Sequence, residues 1–116
     1  MSTEPVVLEQ RVAPPAAELL LSIPPDLEYF AGHFAGAPIV AGVVQLKWAV
    51  DAGRRLLGAD GWLVGVENLK FQRVLVPRSV ATLTLKWVAA DRKLYFSYQA
   101  EGARFSSGRL LFRSGE

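Results

Sequence analysis

Residues 43–57 read Val43-Val44-Gln45-Leu46-Lys47-Trp48-Ala49-Val50-Asp51-Ala52-Gly53-Arg54-Arg55-Leu56-Leu57, and this stretch decides the fold. Val43, Leu46, Val50 and Leu57 recur at helical spacing and make one apolar stripe. Val44, Trp48 and Ala52 make a second beside it. Together the stripes cover more than half the circumference, so the spacing predicts a helix buried on most sides rather than one lying on a surface. Gly58 and Gly61 bound the turn that ends it.

The segments on either side read as strands. Upstream, Val6 to Ala13 is rich in β-branched residues with partial alternation, and Pro14-Pro15 breaks it. Ala16 to Ile23 sets Leu19, Leu21 and Ile23 on one side against Glu18, Leu20 and Ser22, and Pro24-Pro25 ends it. Asp26 to Phe30 is expected to be a short turn carrying Leu27 and Phe30 into the core. Downstream come four runs, Trp62 to Phe71, Ser79 to Ala89, Lys93 to Glu101 and Ala103 to Phe112. The clearest alternates Ala81, Leu83, Leu85 and Trp87 with Thr82, Thr84 and Lys86. Short turns at Pro77-Arg78, Asp91-Arg92 and Glu101-Gly102 predict antiparallel neighbours in a meander. A lone, mostly buried helix has no second layer to cover it, so the sheet itself must wrap it. The expected class is α+β, an antiparallel sheet curled around one long central helix, in a single domain spanning residues 1–116.

Composition narrows the function. A chain of 116 residues supports one core, and a 51% hydrophobic share against 21% charged excludes disorder. So large an apolar share in a short chain also hints that a partner buries part of the surface. There is no cysteine and one histidine, which excludes disulfide scaffolds, cysteine nucleophiles and multi-histidine metal sites. No metal and no cofactor are expected. Thirteen basic against eleven acidic residues give a net charge of +2, far from the dense footprint of a nucleic-acid binder. The N-terminus has no basic segment leading into an apolar one. The longest greasy stretch, Ala35 toward Val50, is interrupted by Pro38, Gln45 and Lys47, short of the roughly 20 residues of a membrane span. A soluble cytoplasmic protein is expected.

The chemistry concentrates just before the helix. Ala31-Gly32-His33-Phe34-Ala35-Gly36-Ala37-Pro38-Ile39-Val40-Ala41-Gly42 is long for a connector, small and apolar, and should pack against something. His33 is the one side chain whose unperturbed pKa lies near neutrality. A lone histidine is more often tied to a backbone carbonyl than catalytic, but its surroundings argue otherwise. Gly42 and Val43 would offer free N–H groups at the helix start, with the positive end of the dipole behind them. Such donors can hold a carbonyl oxygen as it gains negative charge. A base and an oxyanion site on one loop-to-helix junction suit proton removal beside a thioester carbonyl.

The stretch Phe30-Ala31-Gly32-His33-Phe34-Ala35-Gly36-Ala37-Pro38-Ile39-Val40-Ala41-Gly42-Val43 resembles the signature loop of the 3-hydroxyacyl-[acyl carrier protein] dehydratases of the FabZ and FabA type. Their pattern is roughly G-H-F-P-G-x-P-x-x-P-G-V. Val64-Gly65-Val66-Glu67-Asn68-Leu69-Lys70-Phe71-Gln72-Arg73 to Val76-Pro77 is similar to the family's next strand and turn. The resemblance implies a hotdog fold and a homodimer whose active sites are shared between copies. It implies His33 as the base, Gly42 or Val43 as the N–H that polarises the thioester carbonyl, and a helix carboxylate that helps the 3-hydroxyl depart as water. The product would be a trans-2-enoyl thioester, in fatty-acid or polyene-like lipid synthesis. Val44-Gln45-Leu46-Lys47-Trp48-Ala49 is similar to the branch found in aryl-polyene-type clusters.

Where the family has its acid, fourteen positions after the histidine, this chain has Lys47, and Ala35 and Ala41 replace two prolines. The alanines loosen the loop, because proline pre-sets backbone angles. Lys47 matters more. An ammonium can only donate a proton, and with an unperturbed pKa of about 10.4 it needs burial to act near neutrality. Lys47 is either the acid itself, or replaced in that role by a neighbour such as Asp51 or Gln45, or the mark of a non-catalytic acyl-binding or heterodimer partner. Its bland reading is a solvated ion pair with Asp51, four residues on. A hotdog thioesterase is the third-ranked function. Phe30, Phe34, Leu46, Trp48 and Val66 are candidate walls for an acyl chain, though core packing is the commoner role for each. Arg54, Arg55, Lys70, Arg73 and Arg78 together would suit an acidic acyl carrier protein.

Overall fold

The computed structural model describes residues 3–26 and 40–114. In chain order these form β1 (Val6–Ala13), β2 (Ala16–Ser22), α1 (Gly42–Leu57), β3 (Trp62–Phe71), β4 (Val80–Val88), β5 (Lys93–Ala100) and β6 (Ala103–Arg113). The strands make one antiparallel six-stranded sheet in the order β1-β2-β4-β5-β6-β3, and α1 packs on β4, β2 and β5. This is the sheet-around-a-helix architecture that the apolar stripes demand. Period-two alternation places Leu19 and Leu21 of β2, Leu83 and Leu85 of β4, and Leu94 and Phe96 of β5 on the buried face, each no more than 3% exposed. Against them lie Val44, Trp48, Ala49 and Ala52 of α1. Gly53 lets the helix sit close: a Cβ there would stand 2.5 Å from Leu94 Cδ2.

Two expectations change. The meander holds for β4-β5-β6, but β3 does not neighbour β4; it pairs with β6, from Trp62↔Arg113 to Phe71↔Ser106. The reason lies in the connection 72–79, whose backbone groups bond away from any hairpin. Val40 N–H donates to Leu75 O at 2.7 Å, Arg78 N–H to Ile23 O at 2.8 Å, and Ile23 N–H to Ser79 O at 2.9 Å. The segment crosses the molecule and ties the end of β2 to the residues just before α1. The helix, too, is only partly enclosed within one chain. The Val44–Trp48–Ala52 stripe is buried, whereas Leu46 and Val50 are half-buried and Val43 is 73% exposed.

Tyr98 lies at the centre of the core, fully buried, with its hydroxyl donating to the Gln45 backbone carbonyl at 2.5 Å. Burial first, and then the negative charges of Asp51 and Glu4, push its pKa well above the ordinary 10.0. The unfolded chain releases that proton at the ordinary value. Stability from neutral Tyr98 is therefore fully present below about pH 10 and drains away as pH rises from there toward the folded-state value. In Tyr98→Phe this dependence is absent, so urea unfolding from about pH 8 to about pH 11 should show the gap between wild type and variant narrowing as pH rises. Leu83→Ala should lower stability by roughly 2–5 kcal/mol, read as a lower urea midpoint at unchanged slope.

Candidate active site

The start of α1 is built to leave donors open. Ala41 is the N-cap, with φ −60° and ψ 150°; it has no side chain able to cap, and the first turn holds no acidic residue. The Ala41 carbonyl accepts from Val44 N–H at 3.1 Å and Gln45 N–H at 3.2 Å. The N–H groups of Gly42 and Val43 have no backbone partner among the described residues. The other end is fully dressed: Gly58 takes a left-handed conformation (φ 72°) that brings its N–H to Gly53 O, and Arg54 and Arg55 occupy the last turn. Helix geometry leaves four orphan N–H groups at every start, and here no carboxylate or hydroxyl of the helix itself claims the first of them.

Phe71, the last residue of β3, lays its ring over this helix start. A Cβ on Gly42 would come within 2.5 Å of Phe71 Cζ, so glycine is what admits the ring. The two elements bound a pocket of about 290 Å³, with Val40, Ala41, Gly42 and Gln45 on one side and Phe71, Arg73 and Val74 on the other. A mostly apolar lining beside a helix start with open donors suits an acyl thioester.

The other sequence-chosen residues divide. Lys47 lies one turn into the helix, half exposed, with Nζ 2.8 Å from Asp51 Oδ2 and 3.6 Å from Glu4 Oε2. The i,i+4 pair is thus present, with a second carboxylate added from the N-terminal segment. Leu46 is half-buried against the core. Trp48 is 3% exposed, donates its indole N–H to Thr3 O at 3.1 Å, and borders a separate pocket of about 200 Å³ with Leu19, Leu21 and Asp51. Val66 sits on the edge strand opposite Leu110, 39% exposed. His33, Phe30 and Phe34 lie outside the described residues, as do residues 27–30 of the expected Asp26–Phe30 turn. Of the basic group, Arg54 is engaged in the fold, its guanidinium 5.4 Å from the Phe112 ring centroid and 2.9 Å from Gly61 O.

Sequence reasoning gave little weight to Gln45 and did not single out Phe71. Gln45 is 3% exposed and hydrogen-bonded on both ends of its carboxamide. Its signal was available: it lies four residues before Ala49 and eight before Gly53, on the most deeply buried face of the helix. Phe71 is a residue of a strand and contacts Gly42 only through the crossover, so no local pattern announces it.

Comparison with known proteins agrees with this architecture. The curated relatives include the 3-hydroxyacyl-[acyl-carrier-protein] dehydratase FabZ of Erythrobacter litoralis, 34% identical over 77 residues, covering 59% of this chain and 51% of the relative. FabZ of Syntrophomonas wolfei is 29% identical over 68 residues, covering 53% and 47%. The matches thus span about half the length of these relatives. Among solved structures, the dehydratase heterocomplex ApeI:P of Xenorhabdus doucetiae superposes with a TM-score of 0.87 at 28% identity, covering 93% of this chain and 96% of that one. An uncharacterized protein of Erwinia carotovora subsp. atroseptica gives 0.81 at 32% identity, covering 93% and 94%. These neighbours share the hotdog fold. The family model described as ApeI-like, ApeI dehydratase, matches residues 9–109, and the chain belongs to that family.

Proposed function

We propose that this protein is a hydro-lyase that dehydrates 3-hydroxyacyl thioesters, carried on an acyl carrier protein, to trans-2-enoyl thioesters in fatty-acid or polyene-like lipid synthesis. The observation that carries this reading is the uncapped start of α1, with the Gly42 and Val43 N–H groups beside a pocket roofed by Phe71. Membership of the ApeI-like family and the FabZ relatives supply the substrate class.

The steps follow from the groups. His33 takes a proton from the carbon next to the thioester carbonyl. Charge gathers on the carbonyl oxygen, where the Gly42 and Val43 N–H groups stabilise it. The electron pair then forms the double bond, the C–O bond at the third carbon breaks, and the hydroxyl accepts a proton and leaves as water. Lys47 stands at the family's acid position, and its ammonium supplies that proton. Leu46, Val66, Trp48, Phe30 and Phe34 remain the proposed acyl walls.

We take the working unit to be a homodimer with shared sites, Lys47 of one copy serving His33 of the other. Two surfaces support this. Edge strand β3 exposes Trp62, Leu63, Val64, Val66, Leu69 and Phe71, and the Val43–Leu46–Val50 stripe of α1 is left half covered. A free edge and exposed apolar side chains of this kind call for a partner.

A second reading, a non-catalytic acyl-binding or heterodimer-partner chain, is favoured by one observation. Lys47 is a half-exposed ammonium held by Asp51 and Glu4, not the desolvated lysine that makes a good acid. The Xenorhabdus relative is itself part of a heterocomplex. A thioesterase ranks third and would reveal itself by release of free thiol.

His33→Ala should cut dehydration of a carrier-bound 3-hydroxyacyl substrate, and hydration of the enoyl product, by about 10²–10⁴-fold with the melting temperature unchanged. Unchanged turnover would remove the base. Purified wild type alone should turn over such substrates, and Lys47→Glu should then alter the pH profile of kcat. A silent wild type that gains activity in Lys47→Glu would establish the second reading instead.

A further inference from the structure

We infer that Gln45 is a positioning residue for the oxyanion donors, a proposal that rests on the dehydratase reading and deepens it. Gln45 and Ser106 are the buried polar residues of the described core, 3% and 0% exposed. The Gln45 carboxamide donates from Nε2 to Val40 O at 3.0 Å and accepts at Oε1 from Ser106 Oγ at 2.6 Å. Its backbone carbonyl accepts the Tyr98 hydroxyl at 2.5 Å, and its N–H donates to Ala41 O at 3.2 Å. One residue in the core is thus held by β5 through its backbone carbonyl and by β6 through its side chain, and in turn holds the two residues before the helix.

Peptide planarity turns these bonds into aim. The Val40 carbonyl and the Ala41 N–H share one rigid plane; the Ala41 carbonyl and the Gly42 N–H share the next. The Gln45 side chain sets the first plane through Val40 O, and the backbone N–H groups of Val44 and Gln45 set the second through Ala41 O. Because N–H and C=O point in opposite directions within a trans peptide, fixing Ala41 O fixes where Gly42 N–H points. Such restraint is needed here. The family pattern has proline where this chain has Ala41, and the next residue is glycine, the least restrained of all. The φ of −60° at Ala41 is the angle a proline ring would impose, reached without the ring. Gln45 supplies from the core the restraint that position 41 lacks.

The test uses the full-length protein and a carrier-bound 3-hydroxyacyl substrate. Gln45→Met keeps the volume and removes both carboxamide bonds. It should lower kcat by about 10²-fold per folded molecule, with KM moved less and the pH profile unshifted. Adding Ala41→Pro to Gln45→Met should recover most of the lost kcat, because the ring restores the backbone angle. In parallel, the Gly42 and Val43 amide resonances should shift and broaden in Gln45→Met and return in the double variant. Should Gln45→Met not fold, Ser106→Ala frees one end of the same clamp and should lower kcat by roughly 10-fold. Unmoved amide resonances, unchanged kcat in the folded variants, or recovery of melting temperature without kcat in the double variant would overturn the role. A wild type without turnover whose amides still respond to Gln45 would overturn the dehydratase reading while leaving the positioning of the donors intact.

Discussion

A helix must begin with N–H groups that its own carbonyls cannot reach, and the protein is organised around that constraint at the start of α1. A solvent-facing helix would satisfy them with water or a capping side chain. This one starts from Ala41, which has no side-chain group to offer, and lays the Phe71 ring over Gly42. The helix start therefore borders a small, mostly apolar pocket lined by Val40, Ala41, Gly42 and Phe71. Preorganised dipoles in such a setting are worth far more than in water, since they need not reorient when charge develops.

Holding donors in place is a packing problem as much as an electrostatic one. A buried amide costs free energy unless its hydrogen-bonding capacity is used, and Gln45 uses its oxygen on Ser106 and its nitrogen on Val40. Tyr98 adds a bond to the same residue from β5. The network links the sheet interior to the residues before the helix in three bonds of 2.5–3.0 Å. Leu75, fully buried, completes the arrangement by receiving the Val40 N–H from the crossover side. The site thus rests on the core rather than on its own loop.

The surfaces of the single chain tell a complementary story. Strand β3 ends the sheet with apolar side chains exposed along nearly its whole length, next to a helix whose Val43 side lies open. Both belong to elements that also build the pocket, through Gly42 of the helix and Phe71 of the strand. Lys47 lies on this exposed side, balanced by Asp51 and Glu4.

Local periodicity was enough to read nearly every element. The strands from Val6, Ala16 and Trp62 and the helix to Leu57 lie where the alternation and the apolar stripes put them, because side-chain period and backbone geometry are the same fact. The uncapped helix start was legible for the same reason: Gly42 and Val43 follow directly from where the stripe begins. What the residues by themselves could not disclose is contact across long sequence separations. The β3–β6 pairing goes with a crossover held by hydrogen bonds from Val40 to Leu75, from Arg78 to Ile23 and from Ile23 to Ser79, none of which leaves a periodic trace. That Phe71 covers Gly42 follows from that pairing. That Gln45 is a clamp and not a surface amide depends on Ser106 and Tyr98, 61 and 53 residues away. Sequence determined the elements and their buried faces through local geometry; only tertiary structure decided which distant groups meet at the helix start, because loop closure brings together residues whose spacing carries no record of their contact.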